Sequence, residues 1–173
     1  MRRNSLILLC TLAAVALLAT GAQAADTLVS TGSNWKYLDN GSDQGTAWKT
    51  PAFDDSGWAS GAAQLGYGDG DEATTVDGGP AGARHITTYF RHTFNVSDPG
   101  AYADITLNLL RDDGAVVYLN GTEVQRSNMP AGTITYTTLA STAISGADET
   151  TYNSFTLPAN LLQNGNNTLA VEI

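Results

Sequence analysis

Short apolar runs separated by turn residues dominate the sequence after residue 24. No long apolar pattern with the 3.6-residue period of a helix occurs there, and glycine contributes 18 of the 173 residues. Runs rich in Thr, Val, Tyr and Ile alternate with Gly, Asp and Asn, which is typical of short strands joined by tight turns. The chain is therefore predicted to be all-β, with two antiparallel sheets packed as a β-sandwich.

Two stretches predict strand geometry in more detail. Ile105, Leu107 and Leu109 alternate with polar residues, so one face of that strand should be buried. Asn120-Gly121 separates two strand-like runs, and this dipeptide favours a type I′ hairpin in which Val117 would lie opposite Val124. Further strands are predicted at 35–38, 85–96, 133–136, 151–157 and 168–173, with one helical turn at 158–162 and a long glycine-rich loop at 66–84.

The first 24 residues resemble an export signal. A basic start at Arg2-Arg3 precedes an apolar stretch from Leu6 to Leu18, and Ala22-Gln23-Ala24 provides a small-x-small cleavage site. The apolar stretch is shorter than the roughly 20 residues that a membrane span needs. We therefore expect residues 1–24 to be a signal peptide and residues 25–173 to form the mature domain, secreted to the periplasm or the extracellular space.

Charge and cysteine content narrow the classes of partner. Arg2 and Arg3 account for two of the 8 basic residues, so residues 25–173 carry 6 basic against 17 acidic residues, a net charge of −11. Such a surface repels nucleic acid and anionic membranes, which argues against both as partners. The one cysteine, Cys10, lies in the signal-like segment, so no disulfide is expected in the mature domain.

Three motifs in a fixed order resemble the galactose-binding-like β-sandwich, a jelly-roll module. Residues 53–58 read FDDSGW, residues 89–94 read YFRHTF, and Arg111-Asp112-Asp113-Gly114 leads into the Val117–Gly121 hairpin. Similar modules accompany secreted bacterial metallophosphoesterases and glycosidases such as β-galactosidases. The resemblance covers about residues 27–173 and implies an accessory role without identifying a ligand.

The motif residues also have a structural interpretation. Phe53 and Trp58 flank a turn of Asp, Ser and Gly, where the short polar side chains can cap amides while both rings pack against a sheet. Asp112-Asp113-Gly114 is similarly suited to a turn between strands.

The C-terminal pattern indicates a truncated domain. Leu169, Val171 and Ile173 alternate with less apolar residues up to the last position, and related modules look as though they continue into a further strand. An unpaired edge or an uncovered apolar patch near residues 168–173 is the expected consequence. The alternative is a complete domain whose last strand lies in mid-sheet, with both neighbours supplied from earlier in the chain.

No catalytic residue is predicted. His85 and His92 are the only histidines, and on one continuous strand their odd separation would place them on opposite faces. No nucleophile motif, zinc-protease motif or phosphate-binding glycine loop is present. An enzyme is therefore the least favoured class.

An acidic loop is the candidate metal site. Asp69, Asp71, Glu72 and Asp77 place carboxylates on a glycine-rich segment, and Ca²⁺ accepts irregular sets of oxygen ligands. The spacing is not that of an EF-hand, and a solvated acidic loop is the alternative. A structural Ca²⁺ is the one cofactor considered, and galactose-binding-like modules often carry one.

Trp48, Tyr67 and Tyr102 lie near turns and are the candidate ligand-binding aromatics. Carbohydrate sites use an exposed flat ring for stacking with polar groups beside it. The alternative is that the tryptophans are packing residues, so their exposure separates the two hypotheses. The favoured function is a non-catalytic accessory or structural module that forms the N-terminal part of a larger extracellular hydrolase. The alternative is a carbohydrate-binding module.

Overall fold

The structure is a computed structural model that describes residues 6–16 and 25–173. The predicted cleavage site at residues 22–24 lies outside this range. The strands in chain order are β1 (Leu6–Ala16), β2 (Asp26–Val29), β3 (Asn34–Leu38), β4 (Ala59–Ala62), β5 (Leu65–Tyr67), β6 (Thr74–Thr75), β7 (Tyr89–Val96), β8 (Tyr102–Arg111), β9 (Ala115–Leu119), β10 (Thr122–Ser127), β11 (Asn153–Pro158) and β12 (Gly165–Glu172). Short 3-10 helices lie at Ala47–Lys49, Pro99–Ala101, Gly146–Thr150 and Ala159–Leu161.

These strands form two six-stranded sheets, so the prediction of an all-β, sandwich-like fold is confirmed. The first sheet has the order β11-β8-β1-β5-β6, with β2 also paired to β1; the second has the order β10-β9-β12-β7-β3-β4. All pairs are antiparallel except β5 with β6. No helix in the described ranges is long and apolar enough to cross a membrane.

The central core lies between the two sheets. It is formed by the inward positions that alternate along each strand, such as Ile105, Leu107 and Leu109 of β8 and Val117 of β9, all fully buried. The predicted alternation in β8 is therefore confirmed. The outward residues Thr106 and Asn108 of the same strand are only partly covered.

The signal-like segment occupies the middle of the first sheet. Strand β1 pairs with β8 from Leu8↔Arg111 to Ala16↔Tyr102, and its other edge pairs with β5 and β2. Leu8, Cys10 and Leu12 are fully buried in the central core. The alternate apolar residues that suit a signal segment therefore also suit an internal strand, and removal by export stays a prediction.

The Asn120-Gly121 turn has the predicted geometry, but the register beyond it differs. Both residues have positive φ, 52° and 87°, as a type I′ turn requires. A bulge lies between Glu123 and Gln125, so Val117 pairs with Gln125. The predicted opposition of Val117 and Val124 is wrong, because the bulge inserts one extra residue into β10.

The expected unpaired edge near residues 168–173 is absent. Strand β12 lies between β7 and β9, and Ile173 exchanges backbone hydrogen bonds of 3.0 Å with Thr88. Both neighbours come from earlier in the chain. Residues 133–136, predicted as a strand, form a loop over the second sheet, where Ile134 and Tyr136 pack by their side chains.

Candidate functional site

The outer face of the second sheet carries a second apolar cluster, here called the outer core. It consists of buried residues from three strands and from the loop that covers them: Trp48, Trp58, Tyr89, Val116, Tyr118 and Ala170. The Trp48 ring lies 4.7 Å from that of Tyr89 and 5.7 Å from that of Tyr118. The second sheet is therefore apolar on both faces.

Phe53 and Trp58, which flank the FDDSGW turn, both pack on the outer core. Their ring centroids are 5.6 Å apart, and Trp58 lies 6.3 Å from Tyr89. Within the turn, Asp54 accepts a hydrogen bond from the Ser56 amide at 3.0 Å. The apolar ends and the capped turn match the structural interpretation of this motif.

Arg91 of β7 joins two of the resemblance motifs. Its Nε donates to Oδ2 of Asp55 at 2.7 Å, and its Nη1 donates to the carbonyls of Thr50, at 3.1 Å, and Trp48. The guanidinium also lies 5.3 Å from the Phe53 ring centroid. These contacts of Arg91 hold the loop on the sheet and are here called the clasp. Arg91 is only 3% exposed, so it offers no surface to a ligand.

The third motif forms a tight turn with a buried acid. The Asp113 carboxylate accepts a hydrogen bond from the Ile144 amide at 2.8 Å, and the Asp113 carbonyl accepts one from Asn128 at 3.1 Å. A Cβ at Gly114 would lie 2.8 Å from the Asn128 carbonyl, so this position requires glycine. Desolvation, with Asp113 close by, raises the pKa of Asp112 to about 8.

An open cleft adjoins this turn, here called the acidic cleft. Its walls include Tyr67, Asp112, Asp113, Glu172 and Ile173. The exposed apolar side chains of Ile86 and Leu139 also line it, at 40% and 67% exposure. The cleft thus combines carboxyl groups with apolar surface.

A second cleft lies over the outer core, bordered by Trp48, Lys49, Tyr89, Tyr136 and Glu172. Trp48 and Tyr89 are only 1% and 2% exposed, so neither ring offers a face for stacking. The cleft is lined by the edges of packed rings.

A buried hydrogen bond links the two clefts at Glu172. The Tyr118 hydroxyl donates to Oε1 of Glu172 at 2.6 Å, and Lys49 Nζ lies 4.3 Å from the Tyr118 ring centroid. Burial raises the pKa of Glu172. This pair ties β9 to β12 on the face that the loops cover.

The three candidate ligand-binding aromatics are not brought together. Trp48 is in the outer core, Tyr67 is in the acidic cleft, and the Tyr102 hydroxyl donates to Asp26 at 3.1 Å. Tyr67 and Tyr102 pair with opposite ends of β1, Leu6 and Ala16. Ten residues of strand separate those ends by about 33 Å.

Tyr67 lies beside charged groups in the acidic cleft. The Arg84 guanidinium stands 4.9 Å from its ring centroid. A Cβ at Gly78 would lie 2.4 Å from the same ring, so Tyr67 packs directly on that backbone. Gly78 therefore packs against this ring, and the Arg84 cation contacts the ring as well.

The four candidate calcium ligands make local contacts in the acidic loop. The Glu72 carboxylate accepts from the amides of Asp69, at 3.1 Å, and Gly70, at 2.9 Å. Asp71 accepts from Gln64 at 3.3 Å, and Asp77 from the Gly79 amide at 2.8 Å. Among residues 6–16 and 25–173, no group of three or more His, Cys, Asp or Glu side chains is arranged to hold a metal ion. Calcium binding stays a prediction.

The two histidines lie in separate environments. His92 of β7 is hydrogen-bonded through Nδ1 to the Asn34 carbonyl at 2.8 Å and packs 5.1 Å from Trp35; burial lowers its pKa. His85 precedes the strand and contacts the Asp77 carbonyl at 3.2 Å. The two are thus not on one continuous strand, and both described hydrogen-bond partners are backbone oxygens.

Two features of this region were not predicted from the sequence. Asp112 and Glu172 are both buried acids, at 3% and 7% exposure. Glu172 lies at one of the outward-facing positions of its strand. The side chain there is expected to be exposed to solvent unless another layer covers that face. Nothing in a single sequence indicates that residues 46–58 and 129–136 supply this layer.

Comparisons with known proteins include a weak structural likeness. No protein-family model and no curated protein match the chain. A solved β-glycosidase structure from Bacteroides vulgatus is similar, with 20% sequence identity and a TM-score of 0.45. The likeness covers 82% of this chain but only 16% of the glycosidase chain.

Proposed function

We propose that this chain is a secreted, non-catalytic accessory module of the galactose-binding-like, jelly-roll type. Its role is to stabilise or position a hydrolase, such as a metallophosphoesterase or glycosidase, of which it forms a part. It carries no catalytic residue of its own.

The observation that carries this proposal is the clasp at Arg91. The motifs that produce the resemblance are used to hold a loop on the second sheet, through Asp55 and the carbonyls of Trp48 and Thr50. The three tryptophans, Trp35, Trp48 and Trp58, are at most 8% exposed. Side chains enclosed in this way serve packing, which suits a scaffold better than a stacking site.

A carbohydrate-binding module is the second candidate, and the acidic cleft favours it. Tyr67, Asp112 and Asp113 line this one cleft. Sugar recognition needs an aromatic surface with hydrogen-bonding groups at its edge. The contacts of the Tyr67 ring with Gly78 and Arg84 argue against extensive stacking.

Binding to insoluble polysaccharides, measured with and without Ca²⁺, separates these functions. The accessory proposal predicts that the purified chain stays in the supernatant and that hydrolase substrates are not turned over. Tyr67→Ala is the informative variant, and Tyr152→Ala, which removes an exposed ring elsewhere, is its control. Retention of the wild type and the control but not of Tyr67→Ala would establish the carbohydrate-binding function instead.

A further inference from the structure

Strand β1 fills a gap in the first sheet that is one strand wide and lies between two strand edges. This gap is here called the slot. One edge is β8, paired with β1 over nine positions from Arg111 to Tyr102. The other is formed by β5 at one end and β2 at the other. Interstrand spacing is about 4.8 Å, so without β1 these edges stand about 10 Å apart and cannot pair with each other.

The slot imposes a definite chemistry on the strand that fills it. Positions 8, 10 and 12, opposite Arg111, Leu109 and Leu107, are fully buried in the central core. Thr11 and Ala13, which alternate with them, are only partly covered. The occupant must therefore be an extended segment, antiparallel to β8, with apolar residues at alternate positions.

Export would empty this slot. Residues 6–16 belong to the segment whose features predict removal before Ala25. The core-facing side chains of β8 would then lose their cover, and roughly half of its peptide groups would lose their partners. A sheet opened in this way requires another strand.

The place from which a replacement strand would enter is next to Ile173. This residue lines the acidic cleft together with Tyr67 and Asp112. Tyr67 pairs with the first residue of β1, and Asp112 directly follows Arg111, the partner of Leu8. Ile173 therefore lies at the end of the slot where β1 begins.

The direction and the distance also agree. A segment that leaves Ile173 and enters at the Arg111 end runs towards Tyr102, antiparallel to β8, as β1 does. Packed sheets lie about 10 Å apart and an extended residue spans about 3.4 Å, so a connection of about four to six residues suffices. Exposed Ile86 and Leu139 give that connection apolar surface to cross.

We propose that, once residues 1–24 are removed, this slot accepts a strand tethered at Ile173, in the register now held by residues 6–16. In the full chain, residues 6–16 occupy the position of that strand. This inference rests on the predicted removal of residues 1–24 and is independent of the accessory function.

The test uses the full chain and transfers the strand from one end to the other. Leu8→Asn with Leu12→Asn places two amides at fully buried positions of β1. This double variant should lower the melting temperature by more than about 10 °C and expose the amides of residues 102–111 to hydrogen exchange. Appending a copy of residues 6–16 after Ile173, through a five-residue glycine-serine linker, should restore both.

The matched control appends the same copy with Asn at the positions of Leu8 and Leu12, and it should restore neither. A second arm adds a synthetic peptide of residues 6–16 to the double variant. Rescue by the free peptide without rescue by the appended copy would overturn the proposal in favour of a strand from a separate chain. Unchanged stability in the double variant, or failure of both rescues, would also overturn it. A polysaccharide-binding result leaves these outcomes unaffected, so the two proposals fail separately.

Discussion

Arg91 Nε donates a 2.7 Å hydrogen bond to Oδ2 of Asp55, and this ion pair connects β7 to the loop that covers it. Arg91 is 3% exposed and the Asp55 side chain 25%. We predict that Arg91→Ala lowers the free energy of unfolding by about 3 kcal/mol, because a partly buried carboxylate and two carbonyls lose their partner. Chemical denaturation with urea measures this.

The control for Arg91 is the ion pair of Arg126 with Glu123, three residues apart on the surface. Arg126→Ala should change stability less, since Arg126 and Glu123 are 26% and 35% exposed against 3% for Arg91, and solvent screens the more exposed pair. Equal losses for the two variants would contradict the role of Arg91 as a clasp.

Trp58→Ala should destabilise the fold by about 3–5 kcal/mol, as expected when a buried aromatic ring is truncated. The ring is 8% exposed and contacts Phe53 and Tyr89. Phe53→Ala should cost less because that side chain is only partly buried. Trp58→Phe is the conservative control. Normal denaturant unfolding of Trp58→Ala together with loss of a ligand would assign this residue to a binding site.

Stability should decrease as pH rises from about 4 to about 8. Burial raises the pKa of Asp112 from 3.8 to about 8, so between these values the folded state binds the proton that the unfolded state has released. Folding is then favoured at the acidic end of this window and loses stability as Asp112 ionises. Asp113, Glu149 and Asp69 contribute in the same direction through their charge.

Asp112→Asn should flatten this part of the stability profile and raise stability at pH 8. Melting temperatures across the pH range measure the slope, and Asp104→Asn on the exposed side of β8 is the control. A slope that Asp112→Asn leaves unaltered would place the titration elsewhere, with Glu172 as the next acid with a raised pKa.

Chelation tests the calcium hypothesis. If Asp69, Asp71, Glu72 and Asp77 hold Ca²⁺, then EDTA lowers the melting temperature, and Asp71→Ala removes this sensitivity because a ligand is lost. Glu72→Gln is an informative companion, since its carboxylate caps two amides. A melting curve that EDTA does not shift would restrict these residues to turn capping.

Export predicts a defined mature N-terminus. The Ala22-Gln23-Ala24 pattern predicts cleavage before Ala25, and intact-mass measurement of the secreted protein reads this directly. A retained N-terminal segment would support β1 as a permanent strand and would remove the basis for an empty slot.

The fold class followed from the sequence because its signals are local. Alternation in β8 and the Asn120-Gly121 turn depend on neighbouring residues alone, and both were predicted correctly. The bulge at Val124, the place of residues 6–16 within a sheet and the loop at 133–136 depend on contacts distant in sequence, and none of these was predicted. Long-range packing decides between a strand and a covering loop when both are rich in Thr and Tyr.

In the candidate site too, local features could be predicted from the sequence and long-range contacts could not. The turn-forming role of Asp54 and Ser56 could be anticipated from their residue types, as could the burial of Trp58. The clasp at Arg91 could not, because 36 residues separate it from Asp55. The buried acids Asp112 and Glu172 become recognisable only once the covering loops are in place.

Loops cover the outer face of the second sheet more than that of the first, and this difference affects how such sequences diverge. Outward positions on the first sheet, such as Asn108 and Ser154, are partly or fully exposed and tolerate exchange, whereas the outward residues Tyr89, Val116 and Ala170 of the second sheet are buried. A substitution on either face of the second sheet must therefore fit a packed core. We expect relatives to drift fastest along β8 and β11 and slowest along β7, β9 and β12. Of the motifs by which the chain resembles a family, YFRHTF lies in β7, Val117–Leu119 lies in β9 and FDDSGW lies in the loop that covers this sheet. Similarity to distant relatives should therefore persist longest in and around the second sheet.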